Sequence, residues 1–172
     1  MTENNLENRI ELKPLKAIDA EHAFIWTGDA EVTKSLFWDH HPTQAATAEF
    51  LKSVAEKHPW FMAICLDGKP VGAVTLDQGQ GRSEKRAELG YVLARKYWGQ
   101  GIASIAAKKA IIKGFAELPI VRIEAFVDPD NRASVRVLEK AGMKKEAYLE
   151  KYLIHRGQVR DRLIYAVTKD VF

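Results

Sequence analysis

Cysteine is nearly absent from this chain: Cys65 stands alone among 172 residues. No internal disulfide can form, so the fold must rest on buried apolar surface, which suits a reducing compartment. Cys65 lies within the apolar run from Trp60 to Leu66 and reads as a core residue, not as a reactive thiol. Long apolar runs are also missing, and nothing approaches the length needed to span a bilayer. The segment Met1 to Glu11 has neither the apolar centre of a signal peptide nor the acid-poor, Arg-rich look of a transit peptide. The expectation is a soluble protein of the cytoplasm, with the nucleus second and no membrane partner. Neither sign of charge dominates, since 26 Lys and Arg stand against 23 Asp and Glu. That balance excludes nucleic acid as the expected partner, because a clustered basic face would be needed. Repeats and low-complexity tracts are absent as well.

What is present is enough chain for one domain, residues 1–172, with its own core. Alternation marks a strand over Ile10 to Leu15, and a helix is expected from Ile18 to Trp26, with Asp29 capping a short one through Lys34. Phe37, Trp38, His40 and His41 crowd the loop from Ser35 to Pro42. Thr43 then caps a helix to Lys57 whose apolar positions are Ala46, Phe50, Leu51 and Val54. Trp60 to Leu66 and Val71 to Leu76 flank Asp67-Gly68, a hairpin signal because both residues tolerate positive φ. A loop follows over Asp77 to Lys85, then a strand to Leu93. A helix from about Gly101 to Ala116 presents Ile102, Ile105, Ile112 and Phe115. Val121 to Val127 is strand, Asn131 caps a helix through Ala141, and Gly142 stops it. Two strands, Lys144 to Ile154 and Gln158 to Val167, close the chain around His155-Arg156-Gly157. This mixed order is an α/β or α+β layer protein with one mixed sheet.

The junction Trp98-Gly99-Gln100-Gly101-Ile102-Ala103 carries the most information, because it joins a strand directly to a helix. Glycines there admit positive φ and close backbone approach, leaving N–H groups convergent on one spot. The helix start adds unpaired donors and a positive dipole end, which favour an anion. Taken alone, the glycines are equally a plain turn. A second element, Asn131 to Met143, stands one strand further on.

Together these pieces resemble the GCN5-related N-acetyltransferases, the GNAT superfamily, and especially the branch that includes the ribosomal-protein alanine N-acetyltransferases. The residues that carry the resemblance are Glu88 to Leu93, Tyr97 to Ala103, Asn131 with Ser134, and Leu138-Glu139-Lys140-Ala141-Gly142-Met143. The resemblance implies a single domain with a mixed, mostly antiparallel sheet of about seven strands that splays to hold acetyl-CoA, with helices on both faces. It implies that acetyl-CoA is held by Tyr91, Val92, Leu93, Lys96, Trp98, Gly99, Gln100, Gly101, Ile102, Ala103, Asn131 and Ser134. The diphosphate belongs on the amides from Trp98 to Ala103 and the pantetheine arm along Val92 and Leu93. Lys96 stands where the family usually has Arg or Gln, with Arg95 beside it; both supply positive charge, though Lys acts as a point and not as a fork.

Acetyl transfer to an amine needs a neutral nucleophile, a polarised carbonyl, a protonated leaving sulfur and close placement of both substrates. A backbone N–H near Val92, left unpaired by a splayed strand, suits the carbonyl. Ser134 is the expected proton donor to sulfur, since many relatives carry a tyrosine four residues on and this chain has Leu138. Serine is also comfortable in a first helical turn, and Asn131 in a plain cap. Glu88 is the expected base; its alternative is an ordinary ion pair with Arg86 or Arg122. Some relatives place a glutamate where this chain has Leu153, so removal of the amine proton through water stays open. The acceptor wall is expected from Phe37, Trp38, His40 and His41, the loop Asp77 to Lys85 and the turn near His155. His40-His41 lacks a third spaced ligand, so no metal is expected. The expected partners are acetyl-CoA and an amine acceptor, a peptide N-terminus or a small amine, acting on a monomer or weak homodimer. Alternatives are a non-catalytic acyl-CoA sensor, or acetylation of a polyamine or a lysine.

Overall fold

The structure is a computed structural model that describes residues 3–172; Met1 and Thr2 lie outside the described residues. Its elements are α1 (Glu3–Arg9), β1 (Ile10–Pro14), α2 (Ala20–Thr27), α3 (Ala30–Thr33), α4 (Gln44–Ser53), β2 (Phe61–Leu66) and β3 (Lys69–Gln78). There follow β4 (Arg86–Leu93), α5 (Ile102–Glu117), β5 (Arg122–Val127), α6 (Arg132–Lys140), β6 (Lys144–His155) and β7 (Gln158–Thr168). The strands form one seven-stranded sheet in the order β1-β2-β3-β4-β5-β7-β6. β4 and β5 pair in parallel, whereas β1–β2, β2–β3, β5–β7 and β6–β7 are antiparallel, so the expected mixed, mostly antiparallel sheet is present.

The chain divides into two compact units. One runs from α1 to Thr75 and includes Tyr91–Ala106. Its core gathers Trp26, Leu51, Ala63, Cys65, Ala73 and Ala94, with Phe50, Phe61, Val92 and Tyr97 packed against them half-buried. Burying one such large side chain stabilises a fold by about 1.5 to 3 kcal/mol. Cys65 is buried, as its apolar neighbours implied. The turn Asp67-Gly68 takes φ values of 50° and 78°, which the hairpin between β2 and β3 requires. Within this unit β3 and the end of β4 approach very closely, because a Cβ on Gly72 would stand 2.3 Å from the Val92 carbonyl oxygen. Only glycine fits there, and the Val71 carbonyl then accepts the Ala94 N–H at 2.9 Å.

The other unit comprises Leu76–Gly90 with Ala107–Phe172. β5 lies between β4 and β7, and its residues Ile123, Ala125 and Val127 are buried. α6 ends as expected: Gly142 has φ 90°, and the Met143 N–H reaches back to the Leu138 carbonyl at 3.1 Å.

Three expectations need correction. The helix begun at Thr43 stops at Ser53, where Val54 forms its C-cap, and continues as a 3-10 turn over Ala55–Lys57; Val54, expected on the apolar face, is 47% exposed. In α5, Ile112 is 53% exposed and Ile111 fully buried. The buried stripe joins Ile102, Ile111 and Phe115 with Ala106, Ala107 and Ala110, so Ile102 and Phe115 are buried as expected and Ile111 takes the place given to Ile112. Finally, the segment Met1 to Glu11, read only for targeting signals, contains the helix α1.

Candidate functional site

β4 ends at Leu93 and the chain turns through a 3-10 segment, Arg95–Tyr97, before entering α5. Local bonds fix this turn. The Trp98 indole N–H donates to the Leu93 carbonyl at 2.7 Å, and the Gln100 side-chain amide donates to the Lys96 carbonyl at 2.9 Å. Gly99 and Gly101 stand at φ 73° and 82°. A Cβ on Gly99 would meet no atom within 4 Å, and one on Gly101 would meet only the Leu6 side chain at 3.9 Å. Among the described residues, the backbone N–H groups from Gly99 to Ala103 find no acceptor; the first bond of α5 runs from the Ile105 N–H to Gly101 at 3.2 Å. Successive open donors at a helix start suit an anion. Arg95 is held by Asp29 at 3.0 Å, and the Lys96 ammonium lies over the Tyr97 ring, 4.9 Å from its centre.

The loop after α3 is more selective than its composition suggested. Trp38, His41 and Phe50 stack on one another with ring centres 5.2 to 6.3 Å apart, and Phe61 and His58 extend the row. The His41 Nδ1 bonds the Thr47 hydroxyl at 2.9 Å, which bonds the buried Thr27 hydroxyl at 2.7 Å. Burial holds the His41 imidazole below its ordinary pKa and favours the neutral ring. Phe37 and His40 are exposed. Sequence reasoning missed Phe50 and Phe61 as members because it assigned them to helix and strand interiors.

Glu88, Asn131 and Ser134 belong to the second unit. The Asn131 side-chain oxygen accepts the Ser134 N–H at 3.1 Å, so Asn131 does cap α6. Its side-chain nitrogen keeps both donors beyond that bond. Leu138 is 1% exposed and serves the core. Glu88 departs from its bland alternative. Arg86 and Arg122 both bind Glu124 instead, and no hydrogen bond or ion pair engages the Glu88 side chain among the described residues. Although Glu88 is exposed, partial burial of its carboxyl raises its pKa above the ordinary value. The negative charges of Asp77 and Glu124 add to this, and Arg86 opposes. Among the described residues, no three His, Cys, Asp or Glu side chains gather as a metal set, and no helix is long and apolar enough to cross a membrane.

The family described as the acetyltransferase (GNAT) domain matches residues 9–144. The chain belongs to this family. An uncharacterized N-acetyltransferase of Bacillus licheniformis is 39% identical over 94 residues, covering 55% of this chain and 51% of that protein. The chain thus spans about half the length of the first curated relatives it matches. Over a longer stretch it is 27% identical to the spermidine N(1)-acetyltransferase of Escherichia coli, across 90% of this chain and 83% of that protein. In structure it is similar to a GNAT acetyltransferase from Bacillus anthracis, with TM-score 0.84 and 29% identity over 94% of this chain and 96% of that one. The same fold recurs in a ribosomal L7/L12 alpha-N-protein acetyltransferase solved with coenzyme A, at TM-score 0.83 and 20% identity over 97% and 98% of the two chains. The GNAT fold expected from the motifs is therefore the fold of this chain.

Proposed function

We propose that this GNAT protein transfers the acetyl group of acetyl-CoA to a primary amine by direct attack, with both substrates bound together. The observation that carries the reading is the run of open N–H donors from Gly99 to Ala103 at the start of α5, a feature that suits an anion such as a diphosphate. In this reading Trp98, Gly99, Gln100, Gly101, Ile102 and Ala103 hold the diphosphate, with Lys96 adding charge. Tyr91, Val92 and Leu93 line the pantetheine arm, and the Asn131 amide donates to it. Acetyl-CoA supplies the activated thioester. Glu88, unpaired and with a raised pKa, takes the proton from the acceptor ammonium directly or through water. The amine nitrogen then bonds to the carbonyl carbon and the C–S bond breaks; Ser134 gives its proton to the departing sulfur and regains one, through water, from the nitrogen, which becomes the neutral amide. The Trp38, His41, Phe50 and Phe61 row stands as the acceptor wall.

The acceptor is proposed to be a peptide α-amine. Supporting this are the ribosomal-protein acetyltransferases among the structural neighbours and a wall whose rings carry no carboxylate. A polyamine is the competing acceptor, since a spermidine N(1)-acetyltransferase is among the relatives. Thiol release from acetyl-CoA, followed over a panel of peptides, lysine and polyamines, tests the whole reading. Acceptor-dependent release with a peptide supports it, release only with polyamines transfers it to that class, and tight cofactor binding with no release under any acceptor leaves a sensor.

A further inference from the structure

The paired strands β4 and β5 carry a charge arrangement that acetyl transfer alone does not explain. Their parallel register sets Arg86 beside Arg122 and Glu88 beside Glu124, so all four side chains project from one face. On such a face an arginine two residues from a glutamate is its natural ion-pair partner. Here that partner is taken. Glu124, 4% exposed, receives Arg86 on Oε1 and the Arg122 Nε on Oε2 at 2.9 Å. Arg122 is further clamped by both oxygens of Glu146 on β6, at 2.9 and 2.6 Å. The charged groups acting on Glu88 are Asp77 from β3, Glu124 from β5 and Arg86 from its own strand, so the only cation among them is already neutralised.

We propose that Glu124 is a positioning residue, which binds Arg86 and Arg122 and so keeps the neighbouring Glu88 carboxylate unpaired and available to the acceptor's proton. The proposal rests on Glu88 as the base. Were Arg86 released, it would close on Glu88, and an adjacent arginine lowers a carboxyl pKa by about 1 to 3 units. Glu88 would then remain ionised to lower pH while accepting protons less readily.

The test uses the intact protein with Glu124→Gln, Arg86→Gln, the double variant and Glu88→Gln. It follows the pH profile of kcat/KM and the Glu88 carboxyl titration by carbon NMR. Glu124→Gln is expected to move the acid limb and the NMR titration down by about 1 unit or more, lower the plateau about tenfold, and leave the KM for acetyl-CoA unchanged. The double variant, with no Arg86 to close, is expected to return the titration to its original position. Should Glu124→Gln fail to fold, Arg86→Gln decides. Arg86 is half exposed and Glu124 keeps Arg122, so the Glu88 titration should move by less than about half a unit if Arg86 is already sequestered. A rise of a full unit would show that Arg86 acts on Glu88 and overturn the inference. Full turnover in Glu88→Gln removes the base reading itself. Loss of turnover in Glu88→Gln beside an unmoved titration in Glu124→Gln removes only the role of Glu124.

Discussion

Replacing Gly99 by alanine separates a cradle from a turn, and Gly157 supplies the matched control. Both glycines sit in the left-handed region, at φ 73° and 75°, and a Cβ on either would meet no atom within 4 Å. The conformational penalty for a side chain there is about 1 to 2 kcal/mol at each position. For a domain of this length, that lowers the melting temperature by roughly 2 to 8 °C, and the two variants should lose about the same. Cofactor affinity should divide them. The new methyl at position 99 occupies open space beside the unpaired N–H groups and should displace an anion from one or two charge-assisted hydrogen bonds. Each such bond contributes about 1.5 to 3 kcal/mol, so the Kd for coenzyme A should rise from roughly 10-fold, for one bond at the low end, to roughly 10,000-fold, for two at the high end, and further with Gly99→Val. Gly157→Ala, in the turn between β6 and β7, should bind as the parent does. Calorimetric titration with coenzyme A, paired with thermal melts, reads both quantities. Coenzyme A binding to Gly99→Ala within twofold of the parent would refute the cradle and reduce the two glycines to a turn.

Three further outcomes follow from the same geometry. Asn131→Ala removes the cap on α6 and should destabilise the fold by about 1 kcal/mol, but the lost side-chain donors should also weaken coenzyme A binding; Asn131→Asp, which keeps the capping oxygen, should restore the melting temperature and not the affinity. Ser134→Ala is expected to lower kcat more than it raises the KM for acetyl-CoA, and an equal loss in both would recast the hydroxyl as a cofactor anchor. The third concerns pH. His41 has a pKa depressed by burial, so between that value and the ordinary 6.5 the unfolded chain binds more protons than the folded one. Stability should therefore fall as pH drops below about 6.5, and His41→Gln, which can still bond Thr47, should flatten that part of the melting-temperature profile.

Much of this protein follows from local sequence. The Asp67-Gly68 hairpin, the Asn131 cap, the Gly142 stop and the glycine turn before α5 are each decided within a few residues by φ preference and side-chain reach, and all stand where their residues put them. Those same local rules identify the family, because its motifs are turns and caps of this kind. The stripe of α5 was only partly legible. Its buried side combines Ile102, Ile111 and Phe115 with small alanines, whose burial depends on how near the neighbouring elements approach and not on their own hydrophobicity.

What the sequence could not decide is which charge meets which. Arg86, Glu88, Arg122 and Glu124 form an R-x-E pattern in each of two strands, and the pattern alone allows either glutamate to take the arginines. The pairing depends on the strand order, which brings β5 beside β4, and on the register, which sets Glu124 level with Glu88. It also depends on burial, since a carboxylate that is 4% exposed needs counter-ions more than one that is only partly buried. The aromatic row is a similar case: Trp38 and His41 come from a loop, Phe50 from α4 and Phe61 from β2, and only tertiary packing stacks them. Sequence determined the turns, the caps and the family of this chain. Tertiary structure decided which carboxylate is left unpaired, because an ion pair is chosen by distance and desolvation between strands that are far apart in the chain.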